Sequence, residues 1–172
     1  MKKVVLFLLP LTLLAFTSTN LKPVDTADAV TFTIKNFGLS TNGSFKGLAG
    51  KIIWDAANPT ASSFDVTIDA NTINTDNEMR DSHLKKETYF DVEKYPKIRF
   101  TTTQVTKTEV TGNLTIKGVT QKISFPFTVT PSGSRYLFKG NFSVNRRDFG
   151  VGSGSVSLGN EVNVYLKIQA AP

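Results

Sequence analysis

Cysteine is absent from this sequence, which excludes thiol catalysis, Cys-ligated zinc, iron–sulfur clusters and disulfide cross-links at once. A lipoprotein anchor, which needs a modified cysteine behind a leader, is not expected either. Histidine occurs once, as His83, so no imidazole pair is available to hold a metal or relay a proton. No apolar run reaches the roughly 20 residues of a membrane-spanning helix. The longest, Val4 to Phe16, is interrupted by Pro10 and Thr12 and follows Lys2 and Lys3. A charged start, a short apolar run and small or polar residues after it read as a secretory leader over residues 1–19. The remaining chain is then expected to be exported, either periplasmic or extracellular. The missing cysteines do not oppose this, because a domain of this length buries enough core to need no staples.

Charge of one sign is also scarce. Of the 20 Lys and Arg, two lie in the leader, leaving 18 against 14 Asp and Glu. That mild positive balance suits weak, transient contact with an anionic membrane surface but gives no nucleic-acid footprint. Lys85-Lys86 and Arg146-Arg147 are only doublets, and most of the Lys and Arg residues read as a solvated face.

What the sequence has in abundance is period-two alternation, the mark of strands with one buried face. Residues 20–29 form a polar lead-in without periodicity. Val30, Phe32 and Ile34 then alternate with polar neighbours, and Gly47 and Gly50 signal sharp bending. Phe64, Ile68 and Ala70 follow, then Ile98 and Phe100, and then Val110, Leu114 and Ile116. The clearest strand is Val119 to Thr130, with Ile123, Phe125, Phe127 and Val129 on one face. Pro126 falls on its outward face, which predicts an edge or a bulge. Tyr136, Phe138, Phe142 and Val144 make another strand. After a Gly/Ser loop over Gly150 to Gly159, Val162, Val164, Leu166 and Ile168 make the last. Only Asn71 to Tyr95 breaks the pattern, with Met79, His83 and Leu84 at helical spacing, predicting one or two short helices before Pro96.

About eight meandering antiparallel strands must stack as a sandwich or close as a barrel. Periodicity alone does not choose, but closure removes exposed edges and can hold one small ligand. The aromatic load favours a cavity. Eleven phenylalanines lie beyond the leader, and Phe32, Ile34, Phe64, Ile68, Phe100, Leu114, Ile116, Phe125, Phe127, Phe138 and Phe142 are the expected apolar lining. For any one of them, a place in a solid core is the plainer expectation.

Catalytic signatures are thin. A serine–histidine–carboxylate arrangement around His83 and Asp81 has no G-x-S-x-G elbow to support it. Gly150-Val-Gly-Ser-Gly lacks the lysine of a phosphate loop. No metal site, no cofactor and no enzymatic activity are expected.

Several segments are more specific. Ile73-Asn-Thr-Asp-Asn-Glu-Met-Arg-Asp-Ser-His-Leu, followed by Tyr89-Phe-Asp-Val-Glu-Lys-Tyr-Pro-Lys-Ile-Arg-Phe, resembles the YceI-like family of polyisoprenoid-binding proteins. Gly43-Ser-Phe-Lys-Gly with Gly50-Lys-Ile, Gly112-Asn-Leu-Thr-Ile-Lys-Gly-Val-Thr, and Asn145-Arg-Arg-Asp-Phe-Gly-Val agree in the same order. The resemblance spans residues 30–170. It implies an all-β fold, an eight-stranded antiparallel lipocalin-like barrel with a short helical excursion. The barrel's interior would hold an isoprenoid lipid, a quinone or a similar amphiphile, for transport, storage or protection. Many members carry a histidine on the first strand where this chain has Asn36. Asn36, Arg80, Asp81, His83 and Arg146 are the candidates for a polar mouth, and a homodimer is compatible with the reading. Two other functions stand beside it: an enzyme acting on such a lipid, and a filled barrel used only for protein contacts.

If the leader is removed, protein recovered from its native host has an intact mass lacking Met1 to Ala15. A mass that retains those residues overturns the export reading.

Overall fold

The computed structural model describes residues 18–172; the expected leader falls almost wholly outside them. The alternating segments form nine strands: β1 (Thr19–Val24), β2 (Val30–Asn36), β3 (Leu39–Trp54), β4 (Ser63–Asn74), β5 (Lys97–Val105), β6 (Glu109–Ile116), β7 (Val119–Ser132), β8 (Arg135–Asn145) and β9 (Leu158–Ala171). One helix, α1 (Glu78–Leu84), interrupts them, with single 3-10 turns at Pro59–Ala61 and Arg146–Phe149. Every strand from β2 to β9 pairs antiparallel with the next, and β9 returns to pair with β2. The sheet therefore closes at eight strand positions, as expected from the sequence.

Nine strands fit eight positions because β1 and β2 share one. β1 pairs with the far ends of β3 (Thr19 with Trp54) and β9 (Lys22 with Ala171). β2 pairs with the near halves of the same two strands (Val30 with Phe45 and Leu166). The two segments run in one direction, broken at Asp25–Ala29. The lead-in is thus a barrel strand that the sequence hides. Leu21 is its only fully buried side chain, too few for alternation to be visible.

Asp25 bridges the break. Its carboxylate accepts from Gly47 N–H at 2.9 Å and Leu48 N–H at 3.1 Å, replacing ladder bonds that the missing strand residues would have made. β3 is irregular at the same level, its register on β4 shifting between Lys46 and Ala49, and it closes tightly on β4 just beyond. Gly50 has φ of 128°, and a Cβ there would stand 2.2 Å from the Asp65 carbonyl oxygen. Only glycine permits that approach.

Residues 71–74, expected to have left the sheet, remain in β4. Asn74 pairs with Ser44, and Ile73 is buried. Their polar neighbours had masked this continuation.

The two ends of the barrel differ. One end, reached by the short 106–108 and 133–134 turns, is stoppered by aromatic rings. Trp54 meets Phe138 at 5.6 Å and Phe127 at 6.1 Å between centroids, and Phe64 meets the same two rings at the same distances. All four contacts are edge-to-face, the arrangement that the ring quadrupoles favour. The other end carries α1, the 37–38 and 117–118 hairpin turns, and the 146–157 segment.

Toward that second end the wall is split. β7 and β8 pair only from Phe127 with Gly140 to Ser132 with Arg135. Val119–Pro126 keeps its β6 partner but has no β8 partner. Phe127 N–H donates to the Thr108 carbonyl on the β6 side, so by alternation the donor-less Pro126 nitrogen faces β8 where pairing stops. The edge predicted from Pro126 is this one.

Asp25→Ala removes an acceptor from two amides of β3, and hydrogen bonds to charged groups are worth about 1.5–3 kcal/mol. Urea melts should show about 2 kcal/mol of destabilisation, with Asp25→Asn recovering part of it. An unchanged midpoint would mean the break in the strand is not held by this carboxylate.

Candidate functional site

The alternating side chains turned inward do not fill the closed sheet. They enclose a cavity of about 240 Å³. All eleven apolar positions expected on its wall do line it: Phe32, Ile34, Phe64, Ile68, Phe100, Leu114, Ile116, Phe125, Phe127, Phe138 and Phe142. Their registers explain why. Phe32 sits opposite Val164 on β9, Phe142 sits opposite the same Val164 from β8, and Phe100 sits opposite Leu114. The wall takes each ring on one face of its strand.

Three of these rings lie against glycines of adjacent strands. A Cβ on Gly43 would meet the Phe32 ring at 2.3 Å, one on Gly112 the Phe100 ring at 2.6 Å, and one on Gly140 the Phe125 ring at 3.1 Å. The glycines let the rings press flat into the wall rather than stand across the lumen. Phe125 and Phe142 stack at 4.8 Å beside the split between β7 and β8.

The irregular segments supply lining that strand periodicity cannot reveal. Leu84, Tyr89 and Phe90 come from α1 and the turns after it, and Phe149 and Val151 come from the segment following β8. Phe90 packs edge-on to Phe45 at 5.6 Å. Aromatic spacing in Tyr89-Phe90 was the available signal, but it falls outside any strand.

Polar groups gather at the end away from the aromatic stopper. Of the five expected at the mouth, Asn36, Arg80 and Arg146 line the cavity. Asp81 and His83 do not line it. The Asp81 carboxylate is turned to the Thr75 backbone N–H and hydroxyl, fixing the start of the helical excursion. His83 is exposed, its ring edge-on to Tyr89 at 5.1 Å. No hydrogen bond links Asp81 to His83 among the described residues, so a catalytic relay has no geometry here. Those residues also contain no cluster of metal-ligating side chains.

Arg80 is half-buried. Its Nε donates to the Thr75 hydroxyl at 2.7 Å and an Nη to the Thr75 carbonyl. Arg146 is 5% exposed and is held entirely by neutral acceptors. Nε donates to Gly159 O at 2.9 Å, Nη1 to Val151 O at 2.7 Å, and Nη2 to Ser153 O at 3.0 Å and the Asn160 side chain at 3.1 Å. Burial lowers its pKa from the ordinary arginine value, partly countered by Tyr89. Neither guanidinium forms an ion pair, the three ion pairs of the described residues lying elsewhere on the surface. Two guanidinium groups thus stand at the end of an apolar cavity, with the Asp81 carboxylate one hydroxyl away from Arg80 on Thr75.

Comparison with known proteins gives a consistent picture. A family model, the YceI-like domain, matches residues 21–170. UPF0312 protein YE1254 of Yersinia enterocolitica is 31% identical over 151 residues, covering 81% of this chain and 79% of that protein. The crystal structure of Burkholderia cenocepacia BcnA superposes with a TM-score of 0.77 at 25% identity, over 88% of this chain and 96% of the other. A polyisoprenoid binding domain from Saccharophagus degradans, implicated in plant cell wall breakdown, shares the fold with a TM-score of 0.68 at 17% identity. That match covers 88% of this chain and 98% of the other.

Arg146 ties Val151, Ser153 and Gly159 into one turn, so Arg146→Met should strand buried carbonyls and destabilise the barrel by about 3 kcal/mol. Limited proteolysis should then cut within 150–158 first. A variant as stable and as resistant as the parent would show that the turn is held by other contacts.

Proposed function

The chain belongs to the YceI-like domain family, and from that premise we propose that its barrel binds an amphiphilic lipid non-covalently. The apolar tail lies in the lumen and the polar or anionic head lies at Arg80 and Arg146. The observation that carries this reading is the pairing of a phenylalanine-lined cavity with two guanidinium groups at its open end, neither in a direct ion pair among the described residues. An isoprenoid or quinone is the favoured class, supported by the polyisoprenoid binding domain that shares the fold. The leader-like N-terminus supports carriage, storage or protection of such a lipid outside the cytoplasm. The reading is of a binding protein, supported by the apolar lining of the cavity.

Size sets the scale of the ligand's buried part. An apolar cavity of roughly 150 Å³ accommodates a benzene ring, so about 240 Å³ has room for some ten carbons. At about 0.8 kcal/mol per buried CH₂, that is ~8 kcal/mol before ordering costs, enough for micromolar binding. A longer chain would leave its remainder along the mouth or in the split between β7 and β8.

Organic-solvent extraction of the protein from its native host, followed by mass spectrometry, should recover a long-chain amphiphile. Val164→Arg tests the placement. Its side chain lies inward at half burial opposite Phe142, beside the split between β7 and β8, where a cation can reach water when the lumen is empty. A binding lipid would have to desolvate that cation, lowering affinity by about a hundredfold or more while the fold persists. Tyr165→Arg, the outward neighbour, should change neither. A folded Val164→Arg protein with its full lipid load would refute the lumen as the site.

A further inference from the structure

Six large apolar side chains stand exposed among the described residues, and five of them ring the cavity mouth: Phe37, Leu39, Met79, Val119 and Val156. Only Tyr165 lies on the barrel wall. Four of the five form a continuous arc, because their loops are tied together. Phe37 N–H donates to Ser157 O at 2.8 Å, Lys117 Nζ to Gly150 O at 2.9 Å, and Gln121 Nε2 to Asp148 O at 3.2 Å. Met79 stands across the mouth on α1.

Phe37 is the most informative. It occupies the first loop position of the two-residue hairpin between β2 and β3, with φ of 50° beside Gly38 at 79°. Positive φ at both positions is the type I′ geometry, for which asparagine is the favoured residue and an aromatic is unfavourable. The residue is 80% exposed, so its side chain gains no internal packing to offset that conformational cost. Backbone strain that persists at an exposed apolar residue, within a group of such residues, points to a contact outside the molecule.

The charge on the arc names the partner. Segments 35–39, 117–122 and 147–158 carry Lys35, Lys117, Lys122 and Arg147 against Asp148 alone. Apolar side chains flanked by cations suit the interface of an anionic bilayer, where rings and aliphatic chains enter the acyl boundary and the ammonium groups meet phosphates. We propose that this arc docks the barrel, mouth first, on an anionic membrane surface. The cavity then opens directly onto the lipid phase. The inference concerns the rim and holds whichever lipid the lumen carries.

Flotation with vesicles tests it, using phosphatidylcholine alone and phosphatidylcholine mixed with phosphatidylglycerol. The full chain is run beside the chain from Ser18 onward, which contains the whole closed barrel, so that the leader's apolar run does not supply the partition. The shorter chain should float with the mixed vesicles, less so with phosphatidylcholine alone, and less so as salt rises. Phe37→Asn combined with Leu39→Ser should lower partition by about tenfold. The melting temperature should hold or rise, because asparagine suits the turn. Tyr165→Ser should partition like the parent. The proposal is overturned if the parent does not float, if the double variant floats equally well, or if the rim instead joins two copies into a dimer that ignores vesicles. Loss of lipid on solvent extraction with flotation intact would count against the proposed function and leave this inference standing.

Discussion

Closing an antiparallel sheet at eight positions fixes the radius of the tube, and that radius dominates the rest of the structure. At this strand number the lumen is about wide enough for side chains to fill it or for one slender ligand to lie within. Which of the two occurs depends on how the inward residues are paired around the wall. Here large rings are set against glycines, Phe32 on Gly43, Phe100 on Gly112 and Phe125 on Gly140. The volume of each ring is taken up by the space beside its neighbour's backbone. Where rings face one another instead, at Trp54, Phe64, Phe127 and Phe138, the tube is shut. Two separate sets of aromatic residues thus make the room and the stopper.

The polar chemistry is confined to the end left open, and its character follows from what the irregular segments can offer. Arg146 is buried because the turn from 151 to 159 wraps it in carbonyl oxygens, which satisfy its donors without neutralising it. Arg80 is held in a similar way by Thr75. A guanidinium bound only by neutral acceptors keeps its field available to a ligand, whereas one locked to a carboxylate would not.

The strands and the wall were legible in the sequence wherever alternation was clean. Phe125 and Phe127 on β7, or Val162 to Ile168 on β9, could hardly face elsewhere. Legibility failed where the backbone departed from two-residue periodicity. β1 carries one buried residue beside Pro23 and so left no alternating trace. Tyr89, Phe90, Phe149 and Val151 reach the cavity from turns, whose directions no simple period encodes. Among the mouth residues, Asn36, Arg80 and Arg146 reach the cavity. Asp81 and His83 shared the same short segment, but a helix turns successive side chains by about 100°, so neighbours in sequence face different surroundings.

The seam that closes the barrel joins the beginning of the chain to its end. Lys167 N–H donates to Ala29 O, and the Lys167–Asp28 ion pair spans 139 residues of sequence. A contact of that separation must pay the full entropy of closing a long loop before it gains anything, which slows formation. Until β9 has been made and has docked, β1 and β2 lack one of their two partners and the lumen is an open trough. The enclosed cavity is therefore complete only once β9 is in place, and anything bound before then lies in an open trough that β9 closes over.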